Sequence, residues 1–246
     1  MVLALVAGGG TAGGVLAERY LADHQTATTS STVATNANAT VTDGDSLASV
    51  VKAVQPSVVT VTVDGTRSES LGSGVVISSD GLILTNNHVI DSEGTVSVRL
   101  SSGRTVPAMV VATDPANDLA LVQATGLSGL TPATFGTNES VVVGDTVLAF
   151  GAPLGLENTV TSGIVSAVNR TVDTGTETLN GLLQTDAAIN EGNSGGALVD
   201  TSGHVIGINV AIVTASQSDS GSIGVGFAIP SGTVTKVISQ LKSEIQ

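Results

Sequence analysis

The chain has 246 residues, a formal net charge of -13 and no cysteine. Eight Lys+Arg against 21 Asp+Glu leave no clustered positive charge to neutralise phosphates, which excludes a nucleic-acid partner. Zero Cys excludes disulfide scaffolds, thiolate zinc sites and cysteine nucleophiles, and 41% hydrophobic residues with a mean hydropathy of +0.38 exclude a wholly disordered chain.

Met1 to Ala17 carry no charge and are mostly apolar, until Glu18, Arg19 and Asp23 end the run. As a helix this stretch would span roughly 26 Å at about 1.5 Å per residue, against a hydrocarbon core of about 30 Å. Residues 1–21 are read as the remnant of a signal anchor, with a Gly-rich leader as the alternative. No basic n-region precedes them, which argues against a cleavable signal peptide. Gly8, Gly10 and Gly13 also fit G-x-G-x-x-G, but no second apolar strand ending in an acidic residue follows, so a nucleotide-binding reading is set aside. Residues 22–45 are dominated by Thr, Ala, Asn and Ser, cannot bury enough apolar area to offset their ordering entropy, and read as a disordered linker. Asn38-Ala39-Thr40 within it is a glycosylation sequon in a host that glycosylates.

From Ser46 the pattern changes. Leu47, Val50, Val51 and Val54 share one helix face, and Pro56 closes the segment. Val/Ile/Thr-rich runs then predict strands at Val58–Val63, Gly74–Ile77, Leu82–Thr85, Val96–Leu100, Ala108–Ala112, Leu119–Gln123 and Thr146–Gly151. Further strands are predicted at Thr159–Asn169, Ala197–Val199, Val205–Val213 and Gly226–Ile229. Only Ser231–Ile245 reads helical after them, with Val234, Val237, Ile238 and Leu241 on one face. Short strands punctuated by Gly, Asp, Asn and Pro imply an all-β sandwich or barrel, and about 200 residues is large for one small barrel, so two are expected.

Three histidines are present. His24 lies in the linker and His204 in the turn signal Thr201-Ser202-Gly203-His204, both default solvent positions. His88 stands where an apolar strand, Leu82 to Thr85, runs into a polar corner, as a satisfied corner residue or as a base. Asp118 precedes an apolar strand, as a solvated carboxylate or as a partner for an imidazole. Ser194 sits in Gly192-Asn193-Ser194-Gly195-Gly196, a plain hairpin turn or a nucleophile turn. A serine is unreactive unless a base takes its proton, and the base needs a carboxylate to fix its tautomer. Glycines around the serine let the backbone turn sharply and aim N–H groups at one point.

Thr85-Asn86-Asn87-His88-Val89-Ile90, Asn117-Asp118-Leu119-Ala120-Leu121, and Gln184 to Asn190 followed by Gly192-Asn193-Ser194-Gly195-Gly196 resemble the HtrA/Deg serine proteases. Leu71-Gly72-Ser73-Gly74-Val75-Val76-Ile77 and Gly224 to Pro230 match further landmarks, and the resemblance runs from about Ser46 to Leu241. It implies two perpendicular six-stranded β-barrels of the chymotrypsin/trypsin type within residues 46–246, barrel one about 56–130 and barrel two about 131–230, with a short N-terminal and a C-terminal helix. It implies a triad of His88, Asp118 and Ser194 in the cleft between the barrels, an oxyanion hole from the N–H groups of Gly192 and Ser194 with Asn193 between them, and no cofactor or metal.

The base of the primary pocket would lie at Ala188 and Ile189, and its wall on Gly207–Ile212, with Asn209, Val210 and Ile212 toward substrate. With no acid at the pocket base, cleavage is expected after Val, Ala, Ile or Leu in unfolded polypeptides rather than after Lys or Arg. Asn169–Leu183 and Thr214–Ser222, polar and Gly-containing, would be the mobile activation loops. Glu191 puts a negative charge three residues from the nucleophile, and no PDZ-like segment precedes the end at Gln246. The resemblance further implies extracytoplasmic protein quality control, anchored to the membrane through residues 1–17. The competing reading is a chaperone-like or peptide-binding module whose active site assembles only conditionally. A homotrimer, common in the family, stays open, because Tyr20 alone supplies an aromatic contact near the N-terminus.

Overall fold

β-Branched residues that alternate with polar ones build the strands, since such side chains pack well on a pleated, half-buried surface. In Thr95–Arg99 the two valines, Val96 and Val98, point inward while Thr95 and Arg99 face solvent. The computed structural model describes residues 46–65, 69–137, 141–151, 159–174, 177–211, 222 and 224–245. The apolar run 1–17, the linker with its sequon, the glycines of the G-x-G-x-x-G match, Ile212 and residues 214–221 lie outside the described residues.

Twelve strands form two closed barrels. The first holds β1 (Val58–Asp64), β2 (Glu69–Val76), β3 (Leu82–Thr85), β4 (Thr95–Arg99), β5 (Thr105–Asp114) and β6 (Leu119–Ala124), in the order β1-β2-β3-β6-β5-β4. The second holds β7 (Thr146–Gly151), β8 (Thr159–Asp173), β9 (Thr178–Thr185), β10 (Ala197–Asp200), β11 (Val205–Val210) and β12 (Gly226–Pro230), in the order β10-β11-β12-β9-β8-β7. Closure pairs every strand on both edges and leaves no edge open to aggregation. Helices α1 (Leu47–Val54), α2 (Asn87–Ile90) and α3 (Ser231–Glu244) and two single 3-10 turns, Gln55–Ser57 and Pro115–Asn117, complete the described elements, with α1 and α3 where the sequence places them.

Two parts of the sequence reading are corrected. Residues 169–183 are largely strand: β8 runs on to Asp173 and β9 returns from Thr178. Gly181 at φ 72 and repeated register shifts between β8 and β9 break the alternation that marks a strand in sequence. The run predicted as Val205–Val213 ends as a strand at Val210. In addition, the polar corner at His88 is a single helical turn rather than an irregular corner.

Val61, Val63, Val76, Ile83, Val98 and Val122 fill barrel one, and Val147, Val165, Leu183, Leu198 and Ile206 fill barrel two. A third layer joins them: Val75, Leu84, Leu119 and Leu121 of barrel one form one cluster with Leu148, Phe150, Val199 and Ile208 of barrel two. Both long helices enter this layer, through Val50 and Val54 of α1 and Val234, Val237, Ile238 and Leu241 of α3. Helix α3 touches β5 and β6 of one barrel and β11 and β12 of the other, so it straps the two together.

Leu241, fully buried on α3, should therefore cost about 2–5 kcal/mol of stability when replaced by alanine. A urea melt reads this directly, and a loss no larger than that of an exposed leucine would contradict the strapping role.

Candidate active site

Strand β3 ends at the buried Thr85 and Asn86, and α2 then carries His88 outward with 43% of its side chain exposed. The bulge in β5 between Val110 and Ala112, where one extra residue enters the ladder, bends the strand toward the turn that presents Asp118. In that turn Asp114 accepts from the Asn117 backbone N–H at 3.2 Å and from Asn117 Nδ2 at 2.7 Å. Asp118 follows in the left-handed region, φ 50 and ψ 46, which Asp tolerates better than most residues. Asn86 Nδ2 donates to the Asp118 carbonyl at 2.7 Å and ties the two segments together.

The Asp118 side chain is 1% exposed, and a buried carboxylate is sustained only by strong hydrogen bonds. Its Oδ2 lies 2.8 Å from His88 Nδ1, and its Oδ1 accepts the His88 backbone N–H at 3.0 Å. Both oxygens thus hold one residue, which fixes the imidazole plane; with Nδ1 as donor to Asp118, Nε2 is left as the acceptor.

Ser194 comes from barrel two. Gly195, at φ 81, lets the chain reverse behind it, and a Cβ there would run into the Ser73 carbonyl oxygen and Thr85 Oγ1. The turn is stitched to barrel one: the Ser73 N–H donates to the Ser194 carbonyl at 2.7 Å and Ser73 Oγ donates to the Gly192 carbonyl at 2.6 Å. Thr85 Oγ1 in turn donates to the Ser73 carbonyl at 2.7 Å. On the other side, the Gly195 N–H donates to the Asn209 carbonyl at 3.0 Å, while Asn209 Nδ2 donates to the Phe150 and Ala197 carbonyls. The Asn193 N–H donates to the Asn190 carbonyl at 3.0 Å, whereas the N–H groups of Gly192 and Ser194 have no hydrogen-bond partner among the described residues. Those two donors are the pair the sequence assigns to an oxyanion.

Glu69, Ser70, Leu71, His88, Val89, Glu191, Gly192, Ser194 and Ala211 line one open cleft. Ser194 Oγ accepts the Ala211 N–H at 3.1 Å and is not hydrogen-bonded to His88. Glu177, near the tip of the β8–β9 hairpin, has a carboxyl pushed above its ordinary pKa, first by burial and then by the negative charge of Asp118, with His88 pulling the other way. Glu177 therefore stands within the electrostatic reach of the His88–Asp118 pair.

The structure brings His88, Asp118, Ser194 and Gly192 around this cleft, with Asn193 buried beneath it. Of the expected pocket residues, Ile189 packs in barrel two, Val210 joins the shared apolar layer, and Asn209 is fully buried. Ala188 is half-buried, and its carbonyl accepts from Thr161 Oγ1 and Asn193 Nδ2. His204 is on the β10–β11 turn, 3.5 Å from Asp200, away from the site residues. Sequence reasoning missed the buried hydroxyls of Ser73 and Thr85, whose only signal is polar residues inside apolar strands. It also missed Glu69 and Glu177. Among the described residues no group of His, Asp and Glu is arranged to hold a metal ion.

Residues 72–208 match the trypsin-like peptidase domain family. The chain is 46% identical over 216 residues to the serine protease PepD of Mycobacterium tuberculosis, a match covering 80% of this chain and 47% of PepD. It is 48% identical over 173 residues to the periplasmic serine endoprotease DegP of Escherichia coli K12, covering 70% of this chain and 36% of DegP. A solved structure of the HtrA-type protease AlgW with a tripeptide superposes with a TM-score of 0.73 at 43% identity, over 82% of this chain and 64% of AlgW. The chain thus spans about half or less of the length of these two curated relatives.

Two expectations test this geometry. Gly195→Ala must force a strained φ and a clash with backbone, so it should destabilise the fold by about 2 kcal/mol or more, as read by thermal and urea melts. For Glu177 the raised pKa means that the native state holds the proton more tightly than the unfolded chain. Ionisation therefore costs native stability, not at all below about pH 4 and fully once the pH has risen through the raised value. Glu177→Gln should raise Tm near pH 8 by no more than about 2 °C, with the difference closing toward about pH 4. A pH-independent difference in calorimetric Tm would refute the assignment.

Proposed function

The chain belongs to the trypsin-like peptidase family, in its HtrA/Deg branch, and on that premise we propose that it is a serine endopeptidase acting on unfolded proteins outside the cytoplasm. The observation that carries the reading is the doubly bonded Asp118–His88 pair facing Ser194 across one cleft. Ser194 Oγ attacks the scissile carbonyl while His88 Nε2 takes its proton. The same imidazole then protonates the leaving amine, and Asp118 holds its orientation and balances its positive charge. The acyl-enzyme is released by a water activated in the same way. The N–H groups of Gly192 and Ser194 stabilise the oxyanion, where loss of one donor typically costs about 10² to 10³ in turnover.

Ser194 Oγ accepts the Ala211 N–H and makes no hydrogen bond to His88, so Oγ and Nε2 must come into hydrogen-bond contact before attack. That resting contact is what favours the second reading, a peptide-binding or chaperone-like module whose site assembles conditionally. Cleavage after Val, Ala, Ile or Leu follows from the apolar Ala188–Ile189 segment, and a peptide-library profile dominated by Lys or Arg before the scissile bond would refute it. The location outside the cytoplasm is supported by the periplasmic DegP relative. No helix among the described residues is long and apolar enough to cross a membrane, and anchoring rests on the hydropathy of residues 1–17.

Ser194→Ala should abolish degradation of an unfolded protein and labelling by a fluorophosphonate probe. Asp118→Asn should retain the fold and lower kcat by about 10⁴. An unlabelled Ser194 in the folded wild type, with unfolded substrate present, would favour the binding module instead.

A further inference from the structure

Resting on the endopeptidase reading, we infer that Glu69 and Glu191 select substrates with Lys or Arg just after the scissile bond and disfavour Asp or Glu there. The cleft itself shows which side is which. The amine of the leaving peptide must depart past the imidazole that protonates it, so the leaving segment crosses the rim made by His88, Val89 and the start of β2. Glu69 and Ser70 begin that strand, and Ser70 Oγ donates to the Val89 carbonyl at 2.8 Å, which clamps β2 against the His88 helix. Glu191 lines the same cleft, immediately before the oxyanion turn, and is exposed.

Both carboxylates line the cleft that holds His88 and Ser194, and no Lys or Arg among the described residues lines it. Neither makes an ion pair or a side-chain hydrogen bond among the described residues. No cation among the described residues compensates their charge, which lines the space a bound peptide fills. The exposed Asp91 and Glu93 follow His88 in the chain and add the same sign beyond the rim. A substrate cation here gains from both carboxylates without desolvating either fully, so the effect falls on recognition and association rate and is screened by salt. The apolar choice before the scissile bond and the charge choice after it are set by different residues.

The test uses the full-length protein and fluorogenic peptides identical up to the scissile bond, with Lys, Gln or Glu at the first two positions after it. In the wild type kcat/KM should fall in the order Lys, Gln, Glu, with a Lys-to-Glu ratio of about tenfold at low ionic strength. The ratio should approach one in about 0.5 M NaCl, drop to about threefold in Glu69→Gln or Glu191→Gln, and invert in the Glu69→Lys/Glu191→Lys double variant. A purely structural role would lower all three rates together and leave the ratio unchanged. Binding of the same peptides to the Ser194→Ala protein, followed by fluorescence anisotropy, gives the charge order without turnover. Equal affinities for the Lys and Glu peptides would overturn the inference even if every peptide is cleaved. The same charge order in binding, with no peptide cleaved by the wild type, would uphold it and refute the endopeptidase reading.

Discussion

The working geometry depends on one seam, where Ser73 of barrel one holds the Ser194 turn of barrel two. Its backbone N–H takes the Ser194 carbonyl and its hydroxyl takes the Gly192 carbonyl, while Thr85 fixes Ser73 from behind. His88 and Asp118 belong to one barrel and Ser194 to the other, so any sliding of the barrels would separate the proposed base from the proposed nucleophile. A misplacement of about 1 Å in such a constellation costs on the order of a hundredfold in rate. The seam is buried, where each of these hydrogen bonds is difficult to replace with water. Gly195 belongs to the same device, because only a residue without a Cβ lets the turn press against Ser73 and Thr85.

The apolar layer between the barrels does the coarse work that the seam finishes. Leu84 and Leu121 meet Leu148, Phe150 and Ile208 there, and α3 lies across β5, β6, β11 and β12. With no cysteine and few aromatics, the chain builds this layer mainly from close-packed Val, Leu and Ile. Asp118 exploits the result. Both of its oxygens are engaged by His88, one by the backbone N–H and one by the ring Nδ1. The burial that surrounds them excludes competing water and holds the imidazole in one orientation.

Much of this was legible in the sequence. Short apolar runs punctuated by Gly, Asp, Asn or Pro marked Leu82–Thr85 and Thr146–Gly151 to the residue, and the spacing of Val234, Val237, Ile238 and Leu241 marked α3. His88, Asp118 and Ser194 were visible because each stands where an apolar strand meets a polar or glycine-rich turn. What stayed hidden has physical reasons. β9 contains Asn180 and Gly181 and shifts register against β8, so no alternation betrays it. Nothing local in the sequence announces that Val210 joins the apolar layer between the barrels or that the Asn209 amide reaches two carbonyls. A polar residue inside an apolar run, such as Ser73, carries no local sign of which distant carbonyl it will meet.

Because the barrels and their seam are locked, conformational freedom at the site is confined to short segments. Downstream of the nucleophile, Gly195 and Gly196 are held by the Asn209 and Asn193 carbonyls. Upstream, the Gly192 carbonyl is fixed by Ser73, but Glu191 is exposed, and the Ser194 hydroxyl is retained by a single N–H at Ala211. Turning that hydroxyl toward His88 breaks one hydrogen bond worth about 1 kcal/mol net and leaves every barrel contact intact. A change that small lies within what a bound peptide can supply, because a ligand shifts an equilibrium by its differential affinity for the two states. The same peptide would enter between Glu69 and Glu191. Occupancy of the cleft and rotation of the nucleophile therefore draw on one binding energy, with the charge of the leaving segment contributing to both.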